Sequence, residues 1–439
     1  MLLSVWPGVF ASAQTVEDQP LPLPPAPPKG PIGQFHLGRF VVTPTITFGN
    51  VGIDTNVYNA AGERKPTLTL SAGPQILVKY NSRRMMIDSR WSAAYTYFKT
   101  YPGENGLSPT MDITANYRVG PRITLTTWDR LVFEKERPSV EIDARTRRVT
   151  ADVSGSVGIA FTQKLSLGIG MHQRQFTYAA GQEFRGVDLK PNLDQTQKDY
   201  GVGLTFKLTP YTTLSGGESF GVLHFPLSTG RDGYTTGPFF GVTFADRAAV
   251  SGDVRVGLSH FHSREGTLSD SDSITLNGRV LVPLTPTTGL SALMNRNLSA
   301  SYLPNAPYYQ YSNYEVAIQQ RLSRLFDIGF GASHWINDYS HFAEPAGATT
   351  SPAILKPETI DWYGPSFGFT PHRFGRLAVY VTEMRRQSND PRNNFKDLRV
   401  GFMVTAGHWL TFSNSGIQTL YTPWGLNYQT GHAVFSPGF

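Results

Sequence analysis

The chain has 439 residues, no cysteine, 40% hydrophobic, 12% aromatic and 16% charged residues, and a formal net charge of +6 at pH 7. Without cysteine it has no disulfide, thiolate metal site, thiol nucleophile or lipid-modified N-terminal cysteine. The hydrophobic content is too high for disorder, and no apolar run approaches the ~20 residues of a spanning helix, which excludes a helical membrane bundle. Length alone would suit roughly two to four soluble domains. A glycine-rich, aromatic-rich, charge-poor chain also suits one large membrane β-barrel.

Residues 1–13 are short, apolar and uncharged and end in Ala11-Ser12-Ala13, an A-x-A-like cleavage site, so a signal peptide is expected. Its basic n-region is missing, as it would be if translation started further upstream. Residues 14–39 are read as a periplasmic linker. Pro20, Pro22, Pro24, Pro25, Pro27, Pro28 and Pro31 make it extended and unable to pair in a sheet.

From Phe40 to Phe412 the chain alternates with period two in about eighteen segments, with sixteen or twenty also open. Tyr200, Val202, Leu204, Phe206 and Leu208 take one face while Asp199, Gly201, Gly203, Thr205 and Lys207 take the other. Leu398, Val400, Phe402 and Val404 oppose Asp397, Arg399, Gly401 and Thr405. Successive strand side chains point to opposite faces, so each segment has an apolar and a polar side. Soluble sandwiches alternate too. Here, however, the segments run ~10–15 residues against the usual ~5–6, and eight short connections alternate with nine long ones. Lipid offers the backbone no hydrogen bonds, so a spanning sheet must close on itself. Outer-membrane barrels have short periplasmic turns and long external loops. The predicted fold is therefore all-β, a single transmembrane antiparallel up-and-down β-barrel over residues 40–412. Tyr95, Tyr97, Phe161, Phe206, Phe220, Phe240, Phe244 and Tyr302 are expected in aromatic girdles at its edges. Asp129, Glu218 and Arg296 fall on the apolar face and conflict with the pattern unless a bulge shifts the parity or they lie near the headgroups.

Thr405, Gly407, Leu410 and Phe412 resemble the β-signal of outer-membrane proteins, which implies recognition by the barrel-assembly machinery. The match ends 27 residues before the C-terminus. Residues 413–439 are uncharged and aromatic, too polar for a membrane helix, and are expected to plug the lumen or remain in the periplasm. The opening stretch, Phe40-Val41-Val42-Thr43-Pro44 through Ile53-Asp54-Thr55-Asn56-Val57-Tyr58, resembles the start of a bacterial family of outer-membrane β-barrel porins, the second of that name. Its members often begin with a proline-bearing strand and an acidic–Asn–Val–aromatic loop. Some are associated with exopolysaccharide gene clusters. The resemblance implies a barrel in the outer membrane of a Gram-negative-type bacterium and brings no catalytic residues with it.

An eighteen-stranded barrel leaves an aqueous lumen unless plugged. Strand parity points Arg84, Arg90, Arg118, Arg122, Arg130, Arg148, Arg174, Lys207, Arg255, Arg279, Arg321, Arg376 and Arg399 inward, with Asp88, Asp112, Asp152, Asp199, Asp253, Glu315 and Asp397. Arg and Lys rings favour anions, so weak selectivity for anions or acidic sugars is expected. Arg–Asp pairs that only brace the wall are the alternative. No H-E-x-x-H or G-x-S-x-G occurs, and His260 and His262 are read as polar rim residues. The expected protein is not an enzyme and needs no cofactor or metal. It passes small polar solutes and contacts outer-membrane lipid, but not nucleic acid. The competing reading is an accessory barrel of a polysaccharide-export or surface assembly with a plugged lumen.

Overall fold

The computed structural model describes residues 35–407, apart from 60–61, 63–64, 140, 143, 246–249, 266–267, 305, 341–356, 373–374 and 389–390. The expected signal peptide, most of the proline-rich linker, Leu410, Phe412 and the 413–439 tail lie outside the described residues.

Among the described residues, eighteen long strands follow one another in chain order. They are β1 (Phe40–Asp54), β2 (Thr67–Asn81), β3 (Met85–Phe98), β4 (Gly106–Arg118), β5 (Ile123–Glu136), β6 (Thr146–Ala160), β7 (Leu165–Tyr178), β8 (Gln195–Lys207) and β9 (Thr212–His224), then β10 (Gly233–Phe244), β11 (Ser251–Ser263), β12 (Ser271–Thr285), β13 (Thr288–Ala300), β14 (Tyr308–Arg321), β15 (Phe326–Asp338), β16 (Glu358–His372), β17 (Gly375–Gln387) and β18 (Phe395–Gly407). Each pairs antiparallel with the next, and β18 pairs back onto β1 from Thr45↔Gly407 to Asp54↔Arg399, which closes the ring. Closure leaves no long sheet edge, as lipid requires. Eight connections at one end have two to six residues and nine at the other have seven to nineteen. The short-turn end is therefore periplasmic and the long-loop end external.

The wall has two chemically distinct faces. On β8, Tyr200, Val202, Leu204 and Phe206 are exposed outward, while Gln197, Asp199 and Thr205 are buried inward. The same alternation gives an outer belt that includes Trp91, Tyr95, Phe161, Phe220, Phe240, Val316 and Phe330. In water this belt would be far larger than the apolar patches of soluble monomers; in lipid it is the expected surface. Asp129, bonded by Thr127 at 3.3 Å, and Glu218 face outward near mid-strand, with no bulge between them and their cross-strand neighbours. The structure thus gives no local shift that would remove these two from the lipid face.

Two details differ from the sequence reading. Phe35–Leu37 forms a short strand on Phe40–Val42, although the linker reading leaves this stretch unpaired. The prolines end at Pro31, and Gly38 at φ +64° makes the tight turn that L side chains disfavour. The loop after β7 holds a two-residue strand pair, Glu183–Phe184 with Val187–Asp188, and a single helical turn, Leu189–Leu193.

The opening loop fastens the closing seam. Asp54 accepts from the Asn56 amide at 2.8 Å and lies 3.5 Å from Arg399 Nε. Thr55 donates to Asp397 at 3.0 Å, Asn56 donates to the Lys396 carbonyl at 3.4 Å, and Arg137 donates to the Val57 carbonyl. The acidic–Thr–Asn–Val stretch thus ties the first strand to the last.

Candidate functional site: the lumen and its inner flap

Lumen charges on the wall meet in pairs, most of them across neighbouring strands. Arg148 Nε donates to Glu134 at 2.7 Å, and its guanidinium lies against the Phe176 and Tyr178 rings. Asp152 accepts from Arg174 and, at 3.0 Å, joins His172, whose other ring nitrogen is 3.8 Å from Asp199. Arg130 lies 3.6 Å from Asp112, and Arg399 Nε donates to Asp397 at 2.5 Å. Arg386 pairs with Glu358. Arg255 covers the Phe239 ring at 4.7 Å on the strand that also carries Asp253, and Asp253 faces Arg279 across the ladder. Glu315 accepts from Asn313 at 2.8 Å. A buried charge needs such a partner, because removing one member leaves the other uncompensated.

Residues on the inner face of β2–β4 are less enclosed. Gln75, Asp88, Arg90, Ser92, Asp112, Thr114, Asn116 and Arg118 are half-buried, and Lys79 is exposed, whereas inward residues on β16 and β17 are buried. Among the described residues, the inner face of β2–β4 is thus less covered than that of β16 and β17. Arg84 and Arg122, expected on the wall, instead lie exposed in the short periplasmic turns; the strands end one or more residues before them. Arg321 stands half-buried at the periplasmic end of β14 and Lys207 at that of β8. Arg376 falls in β17, but its side chain is not among those described. Thr405 and Gly407 form the last turn of pairing in β18.

The external half of the lumen is filled by the chain itself. The β12–β13 ladder stops at Leu276↔Arg296, although β12 continues to pair with β11 as far as Ser271↔Phe261. Beyond that point the top of the β13–β14 hairpin (the flap, described over 297–304 and 306–312) leaves the wall on its β12 side. It stays paired with β15 as far as Gln310↔Asp338. Residues 297–302 and 306–313 are buried on both strand faces, which a barrel wall between lipid and lumen does not allow. One face sets Tyr308 against the inward rings of Phe261 at 5.0 Å and Phe225 at 6.2 Å. The other sets Tyr311 on Trp335 at 5.4 Å and Tyr309 on Tyr339 at 5.3 Å. Gln310 spans the parting strands, accepting from Arg296 at 2.9 Å and donating to the Ile274 carbonyl at 3.4 Å. Arg296 is thus no lipid-facing cation: it sits at the point where the hairpin turns in.

A buried carboxyl and a buried guanidinium hold the flap tip. Glu141, in the loop after β5, accepts from Ser301 Oγ at 2.5 Å, from the Tyr302 amide at 3.3 Å and from Tyr339 at 3.1 Å. The loop after β5 and the hairpin after β13 are eight strands apart on the eighteen-strand ring, so the contact crosses the lumen. Burial raises the Glu141 carboxyl to about 7. Arg231, in the turn Thr229–Arg231, donates to the carbonyls of Asn192, Ser301 and Leu303 at 2.8, 2.7 and 2.8 Å, while Tyr308 donates to its own carbonyl. Burial lowers Arg231 to about 10, so it remains a cation at neutral pH. Tyr302, expected in a girdle, is instead buried at the flap tip, edge-on to Phe184 at 4.9 Å.

Glu134, Glu141, Arg231, Glu358 and Arg386 escaped the sequence reading. Glu134 and Arg386 were legible from parity, two residues from strand neighbours of known face. Glu141 and Arg231 sit in loops, where no periodicity marks direction. His260 and His262 do lie at the outer rim, paired with Asp272 at 2.6 Å and Asp270 at 2.9 Å.

A family model described as "Putative beta-barrel porin 2" matches residues 27–408. No curated protein matches the sequence. Solved structures of similar shape include Pseudomonas aeruginosa OccK5 (OpdH), at 13% identity and a TM-score of 0.44, covering 84% of this chain and 98% of that one. They also include P. aeruginosa OccK2 (OpdF) in complex with glucuronate, at 10% and 0.45, covering 84% and 98%. A BenF-like porin from Pseudomonas fluorescens Pf-5 is similar at 9% and 0.45, covering 84% and 99%.

Proposed function

This chain belongs to that second β-barrel porin family, and from that premise we propose that it passes small polar solutes passively across the outer membrane, anions and acidic sugars in preference, through the lumen along β2–β4. Family and fold make it a porin-like barrel of the Gram-negative outer membrane, and they point to a channel rather than an enzyme. The observation that carries the solute preference is the charge along this less covered face. Lys79, Arg90 and Arg118 stand there against Asp88 and Asp112, and the periplasmic turns add Arg84 and Arg122. A basic surplus in a low-dielectric passage raises the local concentration of anions. Reversal potentials across a potassium chloride gradient test this: an anion-selective shift is expected, and cation preference overturns it.

A second reading is favoured by the filled external mouth. A barrel whose lumen is closed by its own flap could serve as an accessory of a polysaccharide-export or surface assembly. Steady conductance steps support the porin; silence under all conditions supports the accessory. Recognition by the barrel-assembly machinery is proposed through Thr405 and Gly407, which lie on the strand that closes the ring.

A further inference from the structure

The flap lies on an inner wall whose chemistry it does not complete. Trp335 and Trp362 are buried and inward on β15 and β16, and Ser333 faces Trp362 across the ladder. Trp335 donates its indole N–H to Ser333, whose hydroxyl donates to Asn313 at 3.1 Å. Beside them Asn337 is 1% exposed, and neither its amide nitrogen nor its amide oxygen has a hydrogen-bond partner. Its cross-strand neighbour on the flap is Tyr311, whose ring lies on Trp335 and whose hydroxyl is engaged by Asn313 rather than by Asn337. Buried amides are almost always paired. An amide left with both donor and acceptor open, between flat aromatic rings on a channel wall, is half of a site. Its missing half has one apolar face and adjacent hydroxyls, the chemistry of a pyranose ring.

We propose that Trp335, Asn337 and Trp362 form a saccharide subsite on the lumen wall, that Tyr311 of the flap occupies it in the empty channel, and that a sugar ring displaces Tyr311 and so draws the flap from the lumen. The subsite deepens the porin reading and rests on it only for its role in passage, not for binding. Competition has a signature that a merely structural role lacks. Tyr311→Ala removes the competitor and tightens binding, whereas Trp335→Ala and Asn337→Leu remove the platform and weaken it.

The test is calorimetric titration of the full chain in detergent micelles with isomaltohexaose and, separately, hexagalacturonate. In parallel, planar-bilayer currents are recorded before and after adding the same sugars. Binding of either sugar is expected, tightened at least threefold by Tyr311→Ala and weakened at least tenfold by Trp335→Ala and Asn337→Leu. Retention of the barrel's heat-shifted gel mobility confirms that each variant is folded. No binding by the wild type and by Tyr311→Ala overturns the subsite, as does weakening of the same size in all three variants. Binding with this pattern in a protein that never conducts upholds the subsite and removes the porin reading.

Discussion

Glu141→Gln separates a proton-controlled flap from a static plug. In the closed state Glu141 faces Ser301 and Tyr302 of the flap and Tyr339 at the end of β15. Arg386 donates to its backbone carbonyl at 3.5 Å, and Glu358, paired with Arg386, adds a like charge. Burial raises its carboxyl from 4.5 to about 7, and a released flap would return it to water and to the ordinary value. Protonation therefore favours the closed state. The latch is complete below about pH 4.5 and loosens as pH rises through about 7. A shift of this size corresponds to about 3 kcal/mol, or roughly two orders of magnitude in the open–closed ratio. The Glu141→Gln side chain would keep the neutral hydrogen-bonding shape at every pH. Single-channel open probability between pH 5 and 8 is the assay. It should rise steeply in the wild type and stay low and flat in Glu141→Gln. A flat wild-type profile, or an unchanged slope in the variant, would refute the latch.

Other expectations concern the wall. Glu134→Gln leaves the Arg148 guanidinium buried without its carboxylate. It should cost about 3–5 kcal/mol, read as a lower urea midpoint in lipid vesicles, and the double variant Glu134→Leu/Arg148→Met should recover most of it. Val316→Arg places a cation on the lipid face between Ala292 and Ala332 and should cost ~2–4 kcal/mol in the same titration. Ser92→Lys, on the half-open lumen face, should leave stability within about 0.5 kcal/mol. Gly401→Val meets the closing seam: a Cβ there would lie 2.6 Å from the Tyr380 hydroxyl and 3.3 Å from the Val51 carbonyl. Overpacking of this kind costs about 1–3 kcal/mol, and the variant should lose its gel-shifted folded form at a lower temperature than the wild type.

The barrel was legible because two independent signals agree. Alternation such as Tyr200–Leu208 gives strands with one lipid face and one lumen face, and the short–long rhythm of turns gives parity, closure and orientation. The flap was not legible from alternation, since a strand keeps period two whether it stands in the wall or turns into the lumen. Its trace was there in other forms. Tyr308, Tyr309 and Tyr311 put aromatics on both faces of one strand, which suits burial on both sides and not a lipid–water wall. Arg296 broke the apolar face at the residue where the hairpin departs. The Asp54-Thr55-Asn56-Val57 stretch was visible as a family likeness, but its physical work was not. Its partners Asp397, Lys396 and Arg399 lie some 340 residues away and meet it only when the ring closes.

The central claim is a conducting lumen closed from outside by its own hairpin. It is met most directly by planar-bilayer recording of the purified full chain beside Glu141→Ala, which leaves Ser301, the Tyr302 amide and Tyr339 without their shared acceptor. The account predicts rare openings in the wild type at pH 5 and long-lived steps in Glu141→Ala at the same pH. Equal silence from both, with the barrels folded and inserted, would contradict it.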